Sequence, residues 1–310
     1  MQYFIHVSTD RHALPGASAS GSVGRARAQR ILVTLLGDYW RVGHPPLPSG
    51  GLVAALGEFG IAPANARATL SRLTQRGILE RTKAGRRTSY RLTDQARHLL
   101  QRGARRIFAS TEGTAWDGTW TLIAFTLPRD DADQRRLLRA RLRWLTFWPV
   151  YDATWITPHD RVDAVREQLS ELGISDALVL RTRDLDLLPD GKARLEATWR
   201  IGELAAAYQA YLRQYRQVAL RATAETVPPA EALIARTHLV DDWRALVRDD
   251  PDLPLEFLPR SFPRADARAL FLRAYQALAE PATVRFEQLV QEPAPGAAGD
   301  VRPCRTPAPS

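Results

Sequence analysis

The sequence predicts an α+β, multidomain chain: an N-terminal winged helix-turn-helix, a ferredoxin-like α+β middle domain and a helical C-terminal domain. Three observations predict it. A short helical pattern runs from Pro63 to Arg76, stops at Gly77, and is followed by two strand-like runs, Ile78–Lys83 and Arg87–Leu92, joined at Ala84-Gly85-Arg86. Between Trp116 and Leu188, strand-like runs alternate with two helical patterns, which fits a small α+β domain. From Leu195 onward the apolar spacing is helical throughout.

Residues 1–23 end in PGASASGSVG, low in apolar content, and are expected to be disordered. Residues 24–110 form the winged-helix domain. Its first helix is marked by Ile31, Leu32, Leu35, Leu36 and Tyr39 at helical spacing and ends near Trp40. After the loop HPPLPSGG, Ser49 is the candidate cap of a second helix carrying Leu52, Val53, Leu56 and Phe59. Proline near the start of the third helix and Gly77 just past its end give the usual asymmetry of helix ends. Thr93-Asp94 caps a fourth helix running to about Ser110. Its outer residues Arg97, Arg102, Arg105 and Arg106 either lie near DNA or are solvated.

Residues 111–190 form the middle domain, with strands at Trp120–Leu127, Val150–Ile156 and Ala177–Arg181. One helix carries Leu137, Leu138, Leu142 and Leu145, and another carries Val162, Val165, Leu169 and Leu172. Residues 191–290 form the C-terminal domain. Trp199, Leu204, Tyr208, Tyr211 and Tyr215 lie on one long helix. A helix through Ile234–Val247 follows Pro228-Pro229, then a proline-broken loop and helices at Arg264–Leu278 and Ala282–Val290. Residues 291–310 are a Pro/Ala-rich tail, also expected to be disordered.

At 310 residues and 45% apolar composition the chain can bury real cores in two or three domains. Its net charge of +9 is unevenly spread. Residues 24–110 hold sixteen Lys/Arg against four Asp/Glu, whereas residues 111–310 hold twenty-six against twenty-nine. The whole excess therefore sits on the winged-helix segment, the electrostatic footprint of nucleic-acid binding. The lone Cys304 cannot form an intrachain disulfide, and no Cys/His spacing matches a zinc site. The expectation is a protein with no metal and no cofactor. There is no signal-peptide pattern and no uncharged apolar run of about 18 residues. A reduced, cytoplasmic protein without membrane contact is expected.

Taken at 100° per residue, the third helix turns Ala66, Thr69, Leu70 and Leu73 to the core. Ala64, Ala68, Ser71 and Gln75 fall opposite, flanked by Arg67 and Arg72, with Asn65 at the first turn. Arg can bond bidentately to guanine, Asn or Gln to adenine, and Ser to either base type. The alternative is an ordinary solvated helix face. The hairpin offers Arg81, Lys83, Arg86 and Arg87 to phosphates, with Arg91 behind them, while Tyr90 faces the core. A metal-dependent nuclease would need carboxylates near the end of the first middle-domain strand, and TWTLIAFTLP has none. Asp130, Asp131 and Asp133 follow Pro128 and suit a helix N-terminus. In the C-terminal domain, Arg236, His238, Trp243 and Arg244 are the candidate effector residues. Cations would hold a phosphorylated ligand and an aromatic slot its acyl group. The alternative places Trp243 in the core and makes His238 structural.

Several stretches together resemble the PaaX family, repressors of phenylacetic acid degradation operons. These are ILVTLLGDYW, GIAPANARATLSRLTQRGIL with Arg67 and Arg72, GRRTSYRLT, WDGTWTLIAFTLP, and DWRALVRDDPDLPLEFLP followed by ALFLRAY. The likeness runs over roughly residues 24–285. The chain departs from the family pattern at Phe262, in place of a Trp, and at Asp241-Asp242, which stand before the aromatic-Arg pair where the family has a His. The resemblance implies a dimeric repressor with a middle domain similar to a small CRISPR-associated ferredoxin-like nuclease. It implies release from an operator in double-stranded DNA by an aryl-CoA thioester such as phenylacetyl-CoA. The alternatives are a nucleic-acid-binding protein without an inducer and a nuclease using the middle domain.

Overall fold

The computed structural model describes residues 17–40, 45–85, 87–108, 116–128, 131–186 and 189–291. The N-terminal part runs α1 (Ala17–Tyr39), β1 (Leu47–Pro48), α2 (Ser49–Gly57), α3 (Pro63–Gln75), β2 (Leu79–Ala84), β3 (Arg87–Leu92) and α4 (Asp94–Phe108). The strands form a small antiparallel sheet in the order β1-β3-β2. Gly77 ends α3 at φ +67°, a left-handed conformation that lets the chain turn straight into β2. Thr93 starts α4: its hydroxyl accepts from the Ala96 N–H at 3.2 Å and donates to the Gly77 carbonyl at 2.8 Å.

Two local expectations are corrected here. α1 begins at Ala17, inside the segment expected to be disordered. Once a helix is nucleated, each added residue gains a hydrogen bond, and alanine extends a helix most readily. Ser49 is the first residue of α2 and not its cap; that position is taken by Pro48, and no side chain caps this helix.

The middle part runs β4 (Trp120–Phe125), α5 (Ala132–Trp144), β5 (Trp148–Tyr151), β6 (Thr154–Thr157), α6 (Val162–Glu171) and β7 (Ala177–Thr182). All pairings are antiparallel, in the order β5-β6-β4-β7. The run expected as one strand, Val150–Ile156, is a hairpin turning at Asp152-Ala153, with an irregular register between Pro149 and Tyr151. α5 and α6 cover one face of the sheet through Leu138, Leu142, Val165 and Leu169. The other face carries Trp120, Trp148 and Ile156, packed on Leu195, Trp199, Leu253 and Leu258 from the C-terminal part.

That C-terminal part runs α7 (Pro189–Trp199), α8 (Ile201–Ala224), α9 (Pro229–Asp249), a short 3-10 turn at Leu255–Phe257, α10 (Arg264–Ala277) and α11 (Ala279–Val290). The long helix expected from Leu195 breaks at Arg200, which takes a left-handed φ of 48°. No helix among the described residues is long and apolar enough to cross a membrane.

The N-terminal and C-terminal parts share a core. Ile31, Leu35, Leu52, Leu56 and Leu70 pack in one cluster with Ala232, Leu233, Ala282, Phe286 and Val290. Phe286 stacks on Tyr39 with ring centroids 4.9 Å apart. α2 comes so near α11 that a Cβ on Gly51 would lie 2.7 Å from Val290 Cα. The first and last thirds of the sequence thus form one packed body, with the middle sheet attached to its side.

Candidate nucleic-acid interface

α3 presents two unlike faces. Ala66, Thr69, Leu70 and Leu73 are buried against α1 and α2. Asn65, Arg67, Ser71 and Gln75 are exposed. The side chains of Arg67, Ser71 and Gln75 have no internal partner among the described residues. Arg72 is half-buried on the flank, where it donates to Thr69 Oγ1 at 2.8 Å, and Thr69 in turn donates to the Asn65 carbonyl at 2.8 Å. Partial burial, with the cations Arg25 and Arg76 nearby, lowers its pKa. Arg76 donates to Gln29 Oε1 at 2.9 Å. Arg25, Arg72 and Arg76 thus crowd beside the exposed face. Sequence reading missed Arg25 and Arg76 as members of this group, because only the packing of α1 on α3 brings them there. A cluster of like charges is disfavoured in isolation and relieved by a polyanion.

The hairpin's cations point both ways. The register pairs Arg81 with Tyr90 and Lys83 with Thr88, so these two cations share the face of Leu79 and Leu92. Arg87 stands on the other face with Glu80 and Arg91. Arg81, Lys83 and Arg87 are exposed, and Arg86 lies outside the described residues. Arg91 is tied to Glu80 at 2.7 Å, which neutralises it. Tyr90 is buried, as expected from the alternation.

The four C-terminal candidates do not meet in one pocket. Arg236 is fully buried, its guanidinium paired with Asp38 and its Nε donating to the Tyr275 carbonyl at 3.1 Å. Burial opposes its charge, but Asp38 with the Tyr39 and Tyr275 hydroxyls outweighs that and raises its pKa. Trp243 is core: it stacks on Phe271 at 4.9 Å and donates to the Ile107 carbonyl at 3.0 Å. His238 is half-buried, edge-on to Phe59 at 5.6 Å. Burial lowers its pKa, against the pull of Asp242. Arg244 lies apart from these, lining a cavity and donating to Thr34 Oγ1 at 2.9 Å. Arg106, expected on the outside of α4, turns inward, donating to the carbonyls of Trp144 and, at 2.9 Å, Val247.

In the middle part, Asp131 caps α5 by accepting from the Gln134 N–H at 2.9 Å, and Asp133 pairs with Arg136 at 2.9 Å. Asp152 stands exposed at the β5–β6 turn, and Asp130 lies outside the described residues. Among the described residues no three His, Cys, Asp or Glu side chains converge in a group able to hold a metal ion.

Three family models match the chain in order. One described as PaaX-like protein matches residues 27–96, the PaaX protein central Cas2-like domain matches 113–193, and the PaaX-like protein C-terminal domain matches 199–288. The transcriptional repressor PaaX of Escherichia coli (strain K12) is 28% identical over 299 residues, 92% of this chain and 90% of that protein. A solved structure, the uncharacterized protein Rv0674 from Mycobacterium tuberculosis, shares the fold with a TM-score of 0.50 at 23% identity, over 84% of this chain and 96% of that one. With all three models matched consecutively and a full-length relative beside them, the chain belongs to the PaaX family.

Proposed function

We propose that this protein is a cytoplasmic, sequence-specific DNA-binding transcriptional regulator, a dimeric repressor released from its operator by an aryl-CoA thioester such as phenylacetyl-CoA. We read its N-terminal part as a winged helix-turn-helix and its middle part as a ferredoxin-like domain. The observation that carries the reading is the outer face of α3, where Arg67, Ser71 and Gln75 are exposed and without internal partners. A helix of this kind lies in the major groove, where such side chains read base edges. Asn65 stands at its leading turn. Arg72, held by Thr69, and its neighbours Arg25 and Arg76 serve the adjoining phosphates. Arg81, Lys83, Arg86 and Arg87 in the hairpin hold the backbone alongside. The dimer places two such helices on half-sites roughly 34–36 Å apart or a multiple of it. The relative in Escherichia coli is named a transcriptional repressor, which supports the sign of regulation.

The test is a mobility-shift titration on duplex from the region upstream of the gene, with and without phenylacetyl-CoA. Arg67→Ala and Gln75→Ala are each expected to lose about 1–3 kcal/mol on the specific site and to relax base preference. Phenylacetyl-CoA is expected to weaken the wild-type complex. Unchanged affinity and specificity in both variants would remove α3 from the reading. A shift indifferent to the thioester would leave a DNA-binding protein without this inducer.

A further inference from the structure

A cavity of about 670 Å³ opens where the three parts of the chain meet. One wall is α1, α4 and α9 of the shared body; the other is α5 and α6 of the middle part. Leu100, Leu137, Trp144 and Leu172 give it apolar sides. Its size and position between domains are those of a small-molecule site.

Two cations in its wall form no direct ion pair among the described residues, though carboxylates lie near each. Among the described residues, Arg106 bonds only to the carbonyl oxygens of Trp144 and Val247, and Arg244 only to the Thr34 hydroxyl. Both lie deep in the molecule yet keep some accessible surface, and both line the cavity. Burial pulls the pKa of each guanidinium down, that of Arg106 to about 10. Arg106 also lies over the Trp144 ring at 4.9 Å, and the nearby carboxylates act on both guanidinium groups only at a distance, so burial outweighs them. Four of the five carboxylates of the wall are already engaged, Asp38 by Arg236. Asp241 pairs with Arg30 at 2.6 Å and Glu171 with Arg141 at 2.7 Å. Asp242 accepts from Tyr215 at 2.8 Å and from Gln214 at 3.0 Å. Glu167, the fifth, is exposed to solvent.

We propose that this cavity binds an organic anion with an apolar body, its carboxylate or phosphate held by Arg106 and Arg244 and its body lying against Leu137, Trp144 and Leu172. The guanidinium fork suits either oxyanion. The ligand touches the DNA-binding body on one side and the middle part on the other. It therefore favours whichever relative placement of the two closes around it, and any differential affinity becomes a shift in DNA binding. That consequence rests on the repressor reading; the site itself does not.

The experiment is calorimetry on the full chain with three probes, phenylacetyl-CoA, coenzyme A and phenylacetate: the CoA compounds supply phosphate and phenylacetate a carboxylate, and coenzyme A lacks the apolar acyl body. Each is titrated into wild type, Arg244→Gln and Ala164→Phe. Ala164 lines the cavity from α6 and is half-buried, so a phenyl group there fills space while every cation remains. At least one probe is expected to bind wild type at one per chain. Both variants are expected to weaken it about tenfold or more, the size of losing one charge-assisted hydrogen bond, with probe-free DNA binding kept. The proposal is overturned if no probe binds wild type, or if one binds both variants as tightly as wild type. A probe that binds in the cavity yet leaves operator affinity unchanged supports the site and removes the release step from the repressor reading. A probe that shifts operator binding equally in wild type and both variants keeps that reading and overturns the site.

Discussion

Arg236 is the largest side chain that water does not reach among the described residues. In the sequence it reads as a cation beside an aromatic residue and a histidine, a reasonable ligand-binding cluster. In the fold it lies over the Tyr275 ring at 3.9 Å, with Asp38 as its counterion from 198 positions away. Nothing local in the sequence marks that partner, so the structural role was not legible. The opposite holds for α3. Its buried residues, Ala66, Thr69, Leu70 and Leu73, were legible because helical period alone decides which side chains share a face. The buried pair makes a firm prediction. Asp38→Asn leaves Arg236 charged and uncompensated, which is expected to destabilise the fold by about 3–5 kcal/mol. Urea unfolding measures this, and a midpoint equal to wild type would show that the pair is dispensable.

At the scale of elements, what the sequence concealed were breaks without a signature. The β5–β6 turn at Asp152-Ala153 lacks the Asn-Gly or Asp-Gly pair that announces a two-residue hairpin. The junction of α7 and α8 uses Arg200 in a left-handed conformation where glycine is the usual residue. The hairpin of β2 and β3 was legible because glycine punctuates both its start and its tip. That element carries its own prediction, since its cations are not equivalent. Arg81, Lys83 and Arg87 are exposed, while Arg91 is neutralised by Glu80. Replacing Arg81 and Lys83 with alanine is expected to flatten the slope of log K against log salt by about 0.9 for each phosphate that is no longer neutralised. Specific and random DNA are expected to weaken alike. Arg91→Ala is expected to leave the slope in place. An unchanged slope in the double variant, or a flattened one for Arg91→Ala, would redraw the set of cations that reach the backbone.

For the whole molecule, the order of the parts was legible from charge distribution and apolar rhythm, but their packing was not. Residues 24–110 read as a self-contained basic domain, yet α9 and α11 complete its core through Leu233, Ala282 and Phe286. Packing across some two hundred positions leaves no periodic trace. A fragment of residues 1–110 is therefore expected to lack cooperative thermal unfolding by circular dichroism, because it exposes the apolar surface that those helices cover. A fragment that melts cooperatively and binds DNA would show that the shared core is incidental. α1, which packs on α3, also lines the cavity at the three-way junction, so the ligand site proposed there lies one helix away from the α3 face. The repressor reading depends on DNA being read by sequence. The most direct measurement is a competition titration, in which labelled duplex from the upstream region is displaced from the full-length protein by unlabelled duplex of the same or random sequence at fixed salt. Random duplex is predicted to compete about a thousandfold less well or weaker still. Equal competition by the two duplexes would contradict sequence-specific binding.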